Sequence, residues 1–376
     1  MVRFLHTSDW QLGMTRRFLT PEAQSRFTDA RIQAIRTIGT LAEERGATFV
    51  VVAGDVFESN MVERQLVHRT VEALRETGVP FYLLPGNHDP LDAGSVFRSK
   101  VFLDRLPGNV TVLEGDPVEV EPGAWLVPAP WRSKKVAVDP IAGAYETAAG
   151  LPRIKILVGH GGTEAFAPDL EKKDLIRTAA AEAAVASGAV HYIALGDRHS
   201  RTAIGATGRI WYSGAPEPTE FRELEPGLVL DVTLSEDAID VQPVQVATWR
   251  FTENKGIAVD TDRDVERLGT WLDGLQGKER TILNLGFTGT ISLSVSAHLE
   301  ELVHHYRPMF AAIERRPDDS DLVVLPSDSD VGELGFSGFA EQAARELSAL
   351  AQQHGPQGQE ARDALGLLHR LARAAL

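Results

Sequence analysis

The chain has 376 residues, a formal net charge of −15 and no cysteine. That length supports a large core and two or three domains, and the missing cysteines exclude disulfides and thiolate metal sites. No apolar run approaches the roughly 20 residues that span a bilayer, and the start of the chain runs straight into a strand without a signal-peptide pattern, so no membrane and a cytoplasmic location are expected.

In chain order, residues 2–6 read as a strand that leads to Asp9 and Gln11. Their two-residue spacing in extended chain turns both side chains the same way. A loop over 16–22 carries Arg16 and Arg17. From 24 to 45, Phe27, Ala34, Ile35, Ile38 and Leu41 make a helical stripe, closed by Gly46. Residues 48–53 are a Val-rich strand, suited to burial on both faces, and lead to Gly54-Asp55. A second amphipathic helix over 61–76 carries His68 on its surface. Residues 81–84 are a third strand, after which Pro85-Gly86 turn the chain and present Asn87, His88 and Asp89 together. Strand and helix in alternation imply right-handed parallel crossovers.

Short runs between 109 and 130, broken by Gly, Pro and Asp, suggest antiparallel strands. The basic cluster at 131–135, WRSKK, is either a solvated loop or a nucleic-acid contact. Residues 154–158 resume the buried pattern and end at His160. An Ala-rich helix over 174–187 precedes a strand at 191–195, which ends at Asp197 with His199 two residues on. Further strands are expected over 202–206, 209–212, 228–234 and 238–244. Beyond a boundary near 247–255, strands at 256–259, 281–287 and 321–325 alternate with helices at 264–275 and 297–307. His304-His305 falls on the second of these helices as a surface or packing pair. An acidic linker over 326–335 precedes a helical hairpin, with apolar stripes through Phe339, Ala344, Leu347 and Leu350, then through Ala361, Leu365 and Leu368. A hairpin of this kind folds back on its own chain or offers a face to a partner.

Five apolar runs thus end in a residue able to bind metal. In open α/β sheets, ligands bind beyond the carboxyl ends of the strands. Asn and Asp oxygens and His nitrogens are metal ligands or proton carriers. In their order, DxQ at 9–11, GD at 54–55, GNHD at 86–89, GH at 159–160 and GDxH at 196–199 resemble the motifs of the calcineurin-like metallophosphoesterases. Within that family, HTSDWQLG (6–13), AGDVFE (53–58) and YSGAPEPTEF (212–221) are similar to the SbcD-type nuclease subunits of double-strand-break repair.

The resemblance implies an α/β fold: a two-sheet αββα sandwich over 1–246, a smaller α/β capping-type domain over 247–326 and a helical tail over 336–376. It implies a metal-dependent phosphodiesterase acting on DNA, exonuclease or endonuclease, partnered by an SbcC-like coiled-coil ATPase. A second copy of this chain is a further candidate partner. Carried over residue by residue, one metal takes Asp9, Gln11, Asp55 and His199, and the other takes Asp55, Asn87, His160 and Asp197, with Asp55 bridging. His88 is then the catalytic acid, and Asp89 orients His88 or stabilises the turn. Arg16, Arg17, Arg132 and Ser213 are the candidate substrate contacts. Two divalent ions about 3.5–4 Å apart hold an attacking hydroxide and clamp an in-line phosphoryl displacement.

The family carries histidines where this chain has Gln11 and Asp197. More oxygen and less nitrogen favour Mn²⁺ or Mg²⁺ over Zn²⁺, and the added negative charge lowers Lewis acidity. The acidic chain is a poor general binder of DNA, whose affinity rests on Lys and Arg, so any DNA contact is local, through the metals or through a partner. The rival readings are a phosphodiesterase or phosphatase for a small nucleotide or phospholipid, and a non-catalytic scaffold. The capping-type domain and tail favour the nuclease over the first. The presence of Asp9, Asp55, Asn87, His88 and His160 argues against the second.

Overall fold

The computed structural model describes residues 1–136, 138–167, 173–324, 338–353 and 355–374. The chain divides into two compact units, Met1–Arg17 with Gln24–Trp249, and Phe18–Ala23 with Arg250–Leu376.

The first unit alternates strand and helix: β1 (Val2–Thr7), α1 (Pro21–Arg45), β2 (Phe49–Val52), α2 (Arg64–Arg75), β3 (Phe81–Leu83), the short α3 (Lys100–Leu103) and β4 (Val110–Val112). Then come β5 (Val118–Glu121), β6 (Ala124–Pro128), α4 (Ala142–Ala149), β7 (Ile154–His160), α5 (Thr178–Ala186) and β8 (Tyr192–Gly196). The unit closes with β9 (Thr202–Ala203), β10 (Ile210–Tyr212), β11 (Leu228–Leu234) and β12 (Ile239–Gln245). One sheet has the order β12-β11-β1-β2-β3-β4, the other β5-β6-β7-β8-β10-β9. β1 to β4 run parallel to one another, as do β6, β7, β8 and β10. The strands that carry the candidate residues therefore point their carboxyl ends the same way within each sheet.

Three apolar layers hold this unit. Phe4, Phe49 and Val51 meet Leu126, Ile156 and Tyr192 between the sheets. Val50, Val52 and Leu83 pack against Ile35 and Ile38 of α1 and Val71 and Leu74 of α2. Leu157 and Ile193 pack against Ala148 of α4 and Ala181 of α5. The result is an αββα sandwich whose inner strands are buried on both faces, which is why they read as unbroken apolar runs.

Several elements differ from the sequence-based expectation. The antiparallel strands expected over 109–130 reduce to one antiparallel pair, β5 with β6. β4 instead joins β3 in parallel, Phe81 opposite Val110, because the turn Val96–Arg98 and α3 form a helical crossover before it and such a crossover returns the chain parallel. β9 stops at Ala203, short of the expected 206, where Gly205 takes φ +66° and turns the chain. α4 was not foreseen; it buries only Ala144 and Ala148, an i, i+4 pair too short to show as a stripe.

The second unit is a four-stranded parallel sheet, β13 (Arg250–Ala258), β14 (Thr281–Ile291), β15 (Ala312–Glu314) and β16 (Asp321–Val324). β13 begins at Arg250, upstream of the expected 256. Among the described residues it pairs only with β14, and its edge position tolerates the polar run Thr252–Lys255 that obscured it. β15, three residues long, has too little pattern to be read. α6 (Asp262–Gly274) starts in a capping box between Thr261 and Asp264. α7 (Leu293–Tyr306) starts before the expected 297, capped by the Ser292 side chain on the Val295 N–H. Leu268, Leu272, Leu283, Phe287, Leu299 and Val303 form the core of this sheet and its two helices. His304 and His305 are exposed.

The expected hairpin is made of two tail helices, Phe339–Ala351 and Pro356–Ala374. Ala351, Ala361 and Leu365 pack with Leu293 of α7. Phe339 stays 87% exposed, so the first stripe is only partly used. The acidic linker read at 326–335 lies outside the described residues. Among the described residues no helix is long and apolar enough to cross a membrane.

Candidate metal centre

Asp9 follows β1, Asp55 follows β2, Asn87 follows β3, His160 ends β7 and Asp197 follows β8. The loops are tied together by their backbones: the Asp9 N–H donates to Gly54 O at 3.0 Å and the Gln11 N–H to Asp55 O at 3.0 Å. Asp9, Gln11, Asp55 and Asp197 all adopt positive φ, at 53°, 42°, 52° and 101°. Two glycines let the loops approach. A Cβ on Gly54 would lie 2.1 Å from His160 Nδ1, and one on Gly86 would lie 2.1 Å from Asp55 Oδ1.

Asp9, Asp55 and His160, all buried, bring one ligand atom each to within 4.8 Å of one another. His160 Nε2 lies 3.4 Å from Asp55 Oδ2, 2.7 Å from Asn87 Oδ1 and 3.9 Å from Asp197 Oδ1. On the other side, His199 Nε2 lies 3.9 Å from Asp9 Oδ1 and 3.1 Å from Gln11 Nε2. The structure thus gathers all seven residues proposed from the sequence. Gln11 Oε1 is buried with no hydrogen-bond partner, which suits an oxygen that ligates a cation. Oxygen-rich donors around a buried carboxylate cluster fit divalent metal ions.

The electrostatics point the same way. Burial pushes the Asp9 carboxyl up, against the pull of His199 and His160, and burial likewise raises Asp197. Burial also opposes ionisation of Asp55, but the adjacent His160 outweighs it and holds this carboxyl low. Burial would lower His160; Asp55, followed by Asp9 and Asp197, raises it well above its ordinary value instead. Without a metal, this cluster takes up protons to offset its negative charge, and buried charge demands a partner of opposite sign.

Three imidazoles are held from behind. His160 Nδ1 contacts Ala53 O at 2.9 Å and His88 Nδ1 contacts Glu58 O at 3.0 Å. A carbonyl only accepts, so Nδ1 carries the proton in both and Nε2 is left to act. His199 Nδ1 contacts Thr219 Oγ1 at 2.6 Å and Glu223 Oε1 at 3.2 Å. Burial would lower this imidazole, but its hydrogen bond to Glu223, with Asp9, pushes it up to about 9. Ligating histidines are commonly oriented in this way. The His88 side chain is 38% exposed, its Nε2 3.9 Å from Asp55 Oδ2, and the His88 backbone N–H donates to Asp55 Oδ1 at 3.0 Å. Asp89 is buried and accepts from the N–H groups of Gly86 and Phe57 at 2.7 and 2.9 Å. It stabilises the turn, with no hydrogen bond to the His88 ring among the described residues.

The four residues read as substrate contacts are scattered. Ser213 is fully buried; its Oγ lies 2.8 Å from Ser8 Oγ, which donates to Asp9 Oδ2 at 2.5 Å. It supports Asp9 from behind and has no exposed atom to offer a substrate. Arg16 donates to Thr219 O at 3.1 Å through Nε, and Arg132 donates to Glu114 O at 2.6 Å. Arg17 is exposed. Sequence reasoning did not single out Ser8 or Thr219, although both lie inside the 6–13 and 212–221 stretches that carry the resemblance, nor Glu223 just beyond, because their roles depend on the fold.

The calcineurin-like phosphoesterase family model matches residues 2–230. The chain is 28% identical over 257 residues to the SbcD subunit of the SbcCD nuclease of Escherichia coli K12, covering 59% of this chain and 62% of that protein. It is 27% identical over 285 residues to the protein of the same name from Bacillus subtilis 168, covering 66% and 68%. The alignment thus spans less than two thirds of the first relative's length. Among solved structures, the protein TT1561 of Thermus thermophilus aligns at 12% identity and a TM-score of 0.43, over 65% of this chain and all of that one; this likeness adds nothing to the family assignment.

Proposed function

Because the chain belongs to the calcineurin-like phosphoesterase family and is a phosphodiester hydrolase, we propose that its substrate is DNA and that it is an SbcD-type nuclease of double-strand-break repair. The observation that carries this reading is the convergence of Asp9, Asp55 and His160 at the strand ends, in a chain whose curated relatives are named as SbcD subunits of the SbcCD nuclease. An SbcC-like coiled-coil ATPase is the proposed partner. The domain over 247–326 is proposed to act as a cap and the tail as the docking element.

The proposed cofactor is a pair of divalent ions, Mn²⁺ ahead of Mg²⁺. Asp9, Gln11, Asp55 and His199 would hold one, and Asp55, Asn87, His160 and Asp197 the other. Bound there, such ions supply charge to the phosphoryl oxygens and a nucleophile at neutral pH. The remaining chemistry falls to the chain's own side chains. His88, its Nδ1 proton tied to Glu58 O, presents Nε2 towards the centre; when that nitrogen is protonated it can donate to the leaving oxygen. Asp89 keeps the turn rigid so that this nitrogen stays in place. Asn87 Oδ1 and His160 Nε2, 2.7 Å apart, would both turn to the same ion, and the ring of His160 is held from behind by Ala53 O.

The test is hydrolysis of linear DNA by the purified protein with Mn²⁺. His88→Ala should cut turnover roughly 10²–10⁴-fold while metal content measured by mass spectrometry stays the same. A parent protein that hydrolyses methyl 4-nitrophenyl phosphate but leaves DNA of every form intact would sink the DNA reading. Loss of metal in His88→Ala would remove His88 from the acid role.

A further inference from the structure

A cavity of about 640 Å³ adjoins the metal centre, within the size range of small-molecule sites. Its wall includes Asn87, Asp197 and His199, and beyond them Trp131, Phe166 and Arg198. The two aromatic residues differ in kind. Trp131 is buried, with its indole N–H donated to His160 O at 2.6 Å, and forms a fixed wall. Phe166 is 47% exposed, although a phenyl ring gains by leaving water. The Arg198 guanidinium lies 3.9 Å from its ring centroid and is itself fixed by its Nε donating to Thr202 Oγ1 at 2.8 Å. The ring is therefore braced against a cation and still presents surface.

Charge narrows the choice of occupant. Of the charged lining residues, Asp197 and Glu223 belong to the metal centre; beyond it Lys134, Arg198 and Arg222 stand against Asp174 and Glu220, a near balance and not the cluster of cations that would draw in a run of phosphates. The cavity suits a flat, neutral, aromatic group joined to one phosphate.

We propose that this cavity is a nucleobase subsite, in which the base of the nucleotide whose phosphate faces the metal centre stacks on the Phe166 ring braced by Arg198. The proposal rests on the reading of the enzyme as one that acts on DNA and adds what part of the DNA it grips. A base in the cavity has left the duplex stack, which costs least at a frayed, mismatched or single-stranded position. Base–aromatic stacking accepts every base, so the subsite favours unpaired nucleotides without reading their sequence.

The experiment compares two ligands that differ only by the base, dAMP and deoxyribose 5-phosphate, titrated calorimetrically into the full Mn²⁺-loaded chain. The parent should bind dAMP about ten-fold or more tightly than deoxyribose 5-phosphate, the scale of one stacked base. Phe166→Ala should bring the two affinities together by weakening dAMP alone, and Phe166→Trp should restore the gap. Equal affinities in the parent, or a gap that survives in Phe166→Ala, would overturn the subsite. The readout is binding, so it separates from the nuclease reading: a chain that leaves DNA intact but keeps the Phe166-dependent gap loses only the nuclease assignment, and one that cuts DNA without the gap loses only the subsite.

Discussion

His88, His160 and His199 share one construction, in which Nδ1 is held from behind and Nε2 faces the centre. For His199 the holder is Glu223, and the imidazole sits at about 9. A metal ion must displace that proton, so affinity at this position should climb as pH rises towards 9. Glu223→Gln keeps a hydrogen-bonding group but removes the charge that favours the imidazolium. The climb in Mn²⁺ affinity, followed by titration at a series of pH values, should then move to lower pH by roughly a unit or more. An unmoved curve would mean that Glu223 does not set this proton. The candidate ligands at 9, 55, 87, 160 and 197 were legible in the sequence because each stands at or just beyond the end of an apolar run, with His199 two residues after the last. The holders were not. Glu58 acts on His88 through its backbone carbonyl, which any residue could supply, and Thr219 and Glu223 reach His199 only after the loop has folded across.

At the level of elements, the site depends on strand ends that approach more closely than side chains allow. Gly54, at φ +96°, sits against the His160 ring, where a Cβ would lie 2.1 Å from Nδ1. Gly54→Ala should therefore push His160 aside and strain the β2 end. The expected result is a loss of at least ~1–3 kcal/mol in stability, as for other overpacked cores, together with reduced metal content. A variant that melts with the parent and binds metal as well would show that the loop after β2 can yield. The strands read well from the sequence because β2, β3, β7 and β8 are apolar on both faces. Elements failed to read where burial asks little of the side chains. β13 is a polar edge strand, β15 has three residues, and α4 buries only two alanines. β4 was read with the wrong orientation because a parallel return depends on a short helix that has no stripe of its own.

For the whole molecule, the tail is the part whose job the sequence left most open. Its helices cover Leu293 with Ala351, Ala361 and Leu365, yet Phe339 remains exposed. Deleting residues 338–376 should leave hydrolysis of methyl 4-nitrophenyl phosphate intact and abolish capture of the SbcC-like ATPase in a pull-down. Full co-purification of the truncated chain would move the docking surface elsewhere. A chain of net charge −15 gains from such a partner, which could bring the cations that DNA binding needs. The positive φ angles at Asp9, Gln11, Asp55 and Asp197 bear on the molecule as a whole as well. Backbone of this kind costs on the order of 1–3 kcal/mol per residue for side chains that dislike it, and glycine relieves it. Asp197→Gly should accordingly melt no lower than the parent in a metal-free scan while it loses metal; a lower melting temperature would refute this. Asp9 and Asp55 also accept backbone N–H groups of neighbouring loops, so the strained backbone is offset there, whereas the Asp197 carboxylate lends no such tie among the described residues. Part of the stability held in the two packed sheets is thus spent at the strand ends, as tension in the backbone that the charge of a bound cation would compensate.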